Sequence, residues 1–72
     1  MKKYTKDTEN GKWTDGSIYL SCGMHINMKY HDEVVSGTIE YSEMWNGGYF
    51  LRLDDNKGSL PMFGSEIEAE LI

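Results

Sequence analysis

Apolar and polar residues alternate along short segments of the chain, and the segments are separated by turns rich in Gly, Asp and Asn. Period-two alternation of this kind is typical of half-buried β-strands. Short strands with tight connections favour a small, closed or half-closed barrel of SH3-like size over a two-sheet sandwich. We therefore expect an all-β fold of five to six short antiparallel strands. The alternating segments are 17–22, 24–30, 34–42, 49–53, 59–62 and 66–72.

The same alternation assigns a side to each residue. Gly37 falls on the apolar side of its segment, which predicts a bulge or the close approach of another backbone. Pro61 makes segment 59–62 an edge strand or a corner, because proline cannot donate a backbone hydrogen bond. Cys22 is predicted to point inward and His25 outward. In the last segment Ile67, Ala69 and Leu71 are predicted inward, and Glu66, Glu68 and Glu70 outward.

Charge divides the chain into two parts. The length of 72 residues is that of one domain. Residues 1–12 contain four lysines and carry +2, whereas residues 13–72 carry −7, which gives the net charge of −5. We predict a polar, lysine-rich arm over 1–12, ordered only if Tyr4 or Trp13 docks, and a single small β-barrel domain over 13–72.

The acidic balance excludes some classes of function. An acidic barrel repels phosphate, so we expect it not to bind nucleic acid directly. The single cysteine cannot form an intramolecular disulfide, and the polar N-terminus does not resemble a signal peptide. No apolar run is longer than three residues, as at residues 49–51, which is too short to span a bilayer. We expect a cytoplasmic protein without a membrane segment, and the pattern leaves its oligomeric state open.

Three glutamates share one side of the predicted last strand, and we call Glu66, Glu68 and Glu70 the glutamate row. Their spacing would be about 6.6–6.8 Å, and like charges at that distance repel. One interpretation is a solubilising side that protects a sheet edge from strand addition. The other is a binding surface for a basic partner, on which carboxylates imitate a run of phosphates. Glu40, with Glu43, would extend the row if segment 34–42 lies beside the last strand.

Three aromatic residues, Trp13, Trp45 and Phe50, are predicted to lie outside the core. Exposed aromatic rings beside charges have the composition of an interface hot spot. The alternative is that Trp45 covers an open end of the barrel and Phe50 packs under the N-terminal arm.

Candidate catalytic and metal-binding residues are few. Cys22, His25 and His31 have the spacing Cys-X2-His-X5-His, but zinc requires four ligands, or three and a water. Cys22, His25 and Asp32 could be read as a Cys–His–Asp nucleophilic set, but no helix N-terminus is expected there to lower the pKa of the thiol. Residues 54–58 do not fit the calcium-binding EF-hand pattern and predict a turn. We expect no metal, no cofactor and no enzymatic activity.

Four short runs stand in order along the chain, namely Tyr19-Leu20-Ser21-Cys22-Gly23, Gly37-Thr38-Ile39-Glu40-Tyr41, Gly48-Tyr49-Phe50-Leu51 and Phe63-Gly64-Ser65-Glu66-Ile67. They resemble segments of a family of small proteins from Gram-positive bacteria and their mobile elements, the domain of unknown function 5348. The resemblance spans residues 17–72. It implies a small β-barrel, a mobile-element setting and no established enzyme activity, and it supplies no catalytic residues. Ser21 stands where the family tends to have His, and Glu68 and Glu70 where the last strand often has a base.

These observations favour a non-enzymatic protein-interaction module, encoded by a phage or a mobile element, with a basic surface on its partner. The sharper hypothesis is an inhibitor of a nucleic-acid-handling host defence protein, of the anti-CRISPR or anti-restriction type. The alternative is a small-ligand or nucleotide-binding barrel, in which tyrosines and His25 stack on a base and the lysines bind phosphate. The predicted partner-binding residues are Glu40, Glu66, Glu68 and Glu70 for charge, with Trp45 and Phe50 as apolar anchors.

Overall fold

The computed structural model describes residues 1–44, 48–62 and 64–72, so Trp45 lies outside the described residues. Within them, seven strands form one antiparallel sheet in the order β2-β1-β7-β3-β4-β5-β6. The all-β class is confirmed, and the expected five to six strands are corrected to seven. No helix in this part of the chain has the length and apolar character needed to cross a membrane. The strands are β1 (Lys2–Lys6), β2 (Trp13–Thr14), β3 (His25–Tyr30), β4 (Glu33–Tyr41), β5 (Tyr49–Leu53), β6 (Ser59–Pro61) and β7 (Glu66–Leu71), with a 3₁₀ turn at Asp54–Asn56.

The N-terminal lysine-rich segment is part of the sheet. Strand β1 lies between β2 and β7 and pairs with β7 over four residue pairs. Tyr4 and Trp13 are each only 2% exposed and belong to the same core. The prediction that Trp13 lies outside the core is wrong, because its ring packs against Tyr49. The predicted boundary at residue 12 between an arm and a barrel is therefore corrected. Lysine side chains can extend from a paired strand into water, so a high lysine content does not exclude a strand.

Segment 17–22 does not form a strand, contrary to the prediction. Its one ladder contact is an isolated bridge between Thr14 and Tyr19. Asp15 Oδ1 accepts the backbone N–H groups of Ser17 at 2.8 Å and Ile18 at 3.0 Å, which closes a turn in place of a ladder. Leu20 is buried, but Cys22 is exposed, so its predicted inward position is wrong. A turn interrupts the period-two alternation, so it no longer assigns sides there.

The remaining strands follow the sequence pattern. Strand β6, which contains Pro61, lies at an edge of the sheet as predicted. Gly37 is buried where β4 meets β5, and a Cβ atom there would overlap the backbone carbonyl of Arg52. The predicted close approach of another backbone at Gly37 is confirmed.

The sheet curls, so that the side chains on its inner side pack against one another and are buried. Trp13 of β2 and Tyr49 of β5 lie far apart in the strand order, yet their ring centroids are 6.2 Å apart. Trp13 Nε1 also donates a hydrogen bond to the carbonyl of Gly64 at 3.2 Å. The pairing ends at β2 and β6, so a closed barrel of SH3 type stays a prediction. The buried core consists of Tyr4, Trp13, Leu20, Ile26, Met28, Ile39, Leu51, Met62 and Ala69.

Candidate protein-interaction face

The glutamate row lies on the outer side of an interior strand. Strand β7 is hydrogen-bonded to β1 on one side and to β3 on the other. Ala69 is fully buried, Glu68 is half-buried, and Glu66 and Glu70 are exposed, so the predicted alternation is confirmed at these positions. Leu71, which was predicted inward, is exposed because it is the last residue of β7. Because β7 has no free edge, the interpretation of the row as protection of a sheet edge is wrong.

Cations from the N-terminal segment lie beside the row. Lys3 is paired in register with Glu68, and its Nζ is 3.7 Å from Glu66 Oε1. The ammonium group of Met1 is 3.9 Å from Glu70 Oε1. These contacts are long and solvent-accessible, so each contributes about 0–1 kcal/mol to stability. They nevertheless explain how three glutamates are tolerated on one strand, because an opposite charge on the neighbouring strand offsets their repulsion.

Hydrogen bonds on the other side of β7 orient Glu70. Asn27 of β3 is paired in register with both Glu70 and Ser36. Its Nδ2 donates to Glu70 Oε2 at 3.1 Å, and its Oδ1 accepts a short hydrogen bond from Ser36 Oγ. A chain of side-chain hydrogen bonds therefore crosses three strands and ends on a carboxylate, which limits the rotamers open to Glu70.

Glu40 is not part of the glutamate row. Strand β3 separates β4 from β7, so the predicted extension of the row to Glu40 is corrected. Glu40 Oε2 instead accepts a hydrogen bond from Arg52 Nε at 3.0 Å. Phe50 is paired in register with Glu40 and is half-buried. The structure thus places Glu40 and Phe50 together on β4 and β5, apart from the row on β7.

The other candidate chemical groups are dispersed. His25 is exposed as predicted, and its Nε2 is 2.8 Å from Asp54 Oδ2. The ring of His31 stacks edge-on against Tyr30, with centroids 4.3 Å apart. In the described parts of the chain, no group of three or more His, Cys, Asp or Glu residues is placed to hold a metal ion. In a nucleophilic set of Cys22, His25 and Asp32, the His25 ring would have to contact the other two residues. It contacts Asp54 instead.

Hydrogen bonds in turns and burial shift the pKa values of four groups. The backbone N–H of Glu9 and then the hydroxyl of Tyr19 lower the pKa of Asp7, and the same contact raises the pKa of Tyr19. The backbone N–H groups of Ile18 and Ser17 lower the pKa of Asp15. Burial raises the pKa of Tyr49, with smaller effects of Cys22 and Tyr41. Each shift has a structural cause, and none of these groups belongs to the glutamate row.

The sequence reasoning missed three residues that complete this face, namely Lys3, Asn27 and Ser36. A signal for Lys3 existed, because Tyr4 alternates with Lys3 and Thr5 and so marks a short strand. No local signal identifies the Asn27–Glu70 bond, because these residues are 43 positions apart.

In comparisons with known proteins, no family model, no curated protein and no solved structure matches the chain. The resemblance to the domain of unknown function 5348 stays a prediction.

Proposed function

We propose that this protein is a non-enzymatic interaction module that binds a protein partner with a basic surface through the glutamate row. The observation that carries the proposal is the position of Glu66, Glu68 and Glu70 on the outer side of an interior strand. Solubility requires acidic residues somewhere on the surface, but it does not require them in register on a strand that is paired on both sides. A rigid backbone holds the three carboxylates at a fixed spacing.

That spacing fits an extended basic segment. Alternate side chains of any extended chain repeat at about 6.6–6.8 Å, so arginines at every second position match the row. A guanidinium group can bind a carboxylate through two parallel hydrogen bonds, which a lysine ammonium cannot. The present cations of the row, Lys3 and the Met1 ammonium, are 3.7 and 3.9 Å away. A partner arginine can displace such exposed contacts at a cost of under about 1 kcal/mol each.

The finer form of the proposal is inhibition of a nucleic-acid-handling host defence protein. A groove that binds phosphates presents regularly placed lysines and arginines, and a row of carboxylates is complementary to it. The origin from a phage or mobile element rests on the family resemblance alone, which is an argument by analogy. We propose a half-closed, SH3-like barrel as the scaffold, and the contact of Trp13 with Tyr49 supports the half-closed form.

The proposal is tested with the Glu66/Glu68/Glu70→Gln triple variant. Its matched control is Asp32→Asn, Glu33→Gln and Asp55→Asn, which changes the net charge equally at another place. A partner captured from host lysate is titrated with each protein at low and moderate salt. We expect the row variant to bind at least about 10-fold more weakly, with a smaller salt dependence. We expect the control to retain most of the affinity.

Equal losses in both variants would assign the effect to bulk charge, and no loss in the row variant would contradict the proposal. Lys3→Gln provides a further prediction of opposite sign. Removal of this competing cation should strengthen partner binding by about 2- to 5-fold, which corresponds to an exposed ion pair. Duplex DNA should compete with the module for the partner if the finer form is correct. The nucleotide-binding alternative has no such observation in its favour, because His25 contacts Asp54 and Lys2 and Lys3 contact carboxylates.

A further inference from the structure

Exposed apolar side chains gather at the end of the molecule where β1 begins and β7 ends. Ile18 and Leu71 are 36% and 49% exposed and, with the mostly buried side chain of Met1, line one groove of about 420 Å³, which we call the terminal groove. Ile72, which follows Leu71, is also exposed. Exposed apolar side chains that share one groove, rather than lying singly on the surface, are typical of interaction surfaces.

The walls of the terminal groove are rigidly held. Ile18 lies in the turn that Asp15 Oδ1 closes, and its carbonyl accepts a hydrogen bond from Thr14 Oγ1 at 2.6 Å. Leu71 is paired in register with Ile26 of β3. The backbone N–H of Ile72 donates to the carbonyl of His25 at 3.1 Å. A partner therefore meets a preorganised surface, and little conformational entropy is lost on binding.

The rim of the groove carries both signs of charge, in pairs. Lys2 Nζ is 3.5 Å from Asp15 Oδ2, and the Met1 ammonium is 3.9 Å from Glu70 Oε1. The chain as a whole carries −5, so two copies repel each other wherever their carboxylate-rich surfaces meet. At the terminal groove, each copy instead offers a cation and an anion beside an apolar floor.

We propose that the terminal groove is a self-association surface and that its occupant is a second copy of this chain. A two-fold axis brings the same patch of each copy together, so the patch must be complementary to itself. The balanced rim meets that condition, because Lys2 of each copy can face Asp15 of the other while Ile18 and Leu71 pack across the axis. The dimer does not form by strand addition to β7, because β7 is paired on both sides. Glu70 lies at the rim of the groove, so the dimer covers this member of the glutamate row and leaves Glu66 and Glu68 free. The dimer does not depend on the proposed function.

Sedimentation equilibrium of the full chain tests this proposal over protein concentrations from about 1 µM to about 1 mM. We expect the mass-average molar mass to rise from 8.3 kDa toward twice that value. Ile18→Asp should weaken the dimer by at least about 10-fold, because it places an unpaired charge in the apolar floor. Ile18→Ser should weaken it less, because it removes the apolar contact without adding charge. Ile18 lies outside the strands, and circular dichroism checks that both variants are folded.

Val34→Asp is the matched control. Val34 is also exposed, and its replacement adds the same charge on β4, away from the terminal groove. We expect it to change the dimer constant by less than about 2-fold. Raising the salt from about 0.05 M to about 0.5 M should preserve or strengthen the dimer, because salt screens the repulsion between two acidic copies. A monomer at every concentration, or equal weakening by Ile18→Asp and Val34→Asp, would overturn the proposal.

Discussion

The inner and outer sides of one sheet show two ways in which the same chain uses its residues. On the inner side, residues from β1, β2, β3, β4, β5 and β7 converge in a single buried cluster. On the outer side, the contacts are ion pairs and hydrogen bonds between side chains of neighbouring strands, most of them exposed. Strand β7 belongs to both, with Ala69 on one side and the glutamate row on the other. The proposed function therefore assigns stability and binding to opposite sides of the same strand.

The physical difference is one of magnitude. Full burial of a large apolar side chain contributes about 1.5–3 kcal/mol, whereas an exposed ion pair contributes about 0–1 kcal/mol. Substitutions on the inner side should therefore act on folding, and substitutions on the outer side should act on partner binding and leave the fold intact. The predictions below test this separation, beginning with the largest effect.

The first prediction concerns Trp13, which joins β2 to the far side of the core. Trp13→Ala removes the ring contact with Tyr49 and the hydrogen bond to Gly64. We expect a loss of about 3–5 kcal/mol, because the ring leaves a cavity that the sheet cannot fill. Urea unfolding followed by circular dichroism measures the loss. Trp13→Phe, which keeps a ring and loses the N–H donor, should cost less, and a Trp13→Ala loss below about 1 kcal/mol would contradict the assigned core position.

The second prediction concerns the contact between β4 and β5 at Gly37. Gly37→Ala places a methyl group against the Arg52 carbonyl and 2.9 Å from Leu51 Cγ, so the two strands must separate. We expect a loss of about 1–3 kcal/mol, measured as a shift in the urea midpoint. Thr38→Ala, one residue along on the opposite side of β4, is the control and should cost less than about 1 kcal/mol. Equal losses at the two positions would show that the close approach does not limit packing.

The third and smallest prediction concerns the pH dependence of stability at Asp15. Folding lowers the pKa of Asp15 below its ordinary value of 3.8, because backbone N–H groups bind the carboxylate. The folded state thus binds this proton less tightly than the unfolded chain. The resulting stability is present above the ordinary pKa and is lost as the pH falls through the lower, folded value.

Asp15→Asn keeps an acceptor oxygen for the N–H groups of Ser17 and Ile18 but cannot titrate. We expect its Tm to fall less steeply than that of the wild type between about pH 5 and pH 2.5. Asp15→Ala, which also removes the acceptor, should lower Tm over the whole range. An unchanged slope in Asp15→Asn would mean that the turn does not stabilise the charged carboxyl.

The sequence predicted the strands best where the alternation was long and uninterrupted. Residues 25–30, 33–41 and 66–71 are strands, and both the edge position of Pro61 and the crowding at Gly37 were predicted. The strand prediction failed at two places. The high lysine content of residues 1–12 led to the prediction of an arm where β1 lies, and a turn closed by Asp15 stands where a strand was predicted over 17–22.

The sequence by itself determined the all-β class and the separation of Ala69 from Glu66, Glu68 and Glu70, because side chains in a strand alternate whatever the strand pairs with. The tertiary structure alone decided that β7 lies between β1 and β3, so that Lys3 and Asn27 meet the glutamates and Glu40 does not. It also decided that Met1, Ile18 and Leu71 share one groove. Strand order depends on which distant segments bury the most apolar surface together. The local pattern of apolar and polar residues does not encode which segments these are.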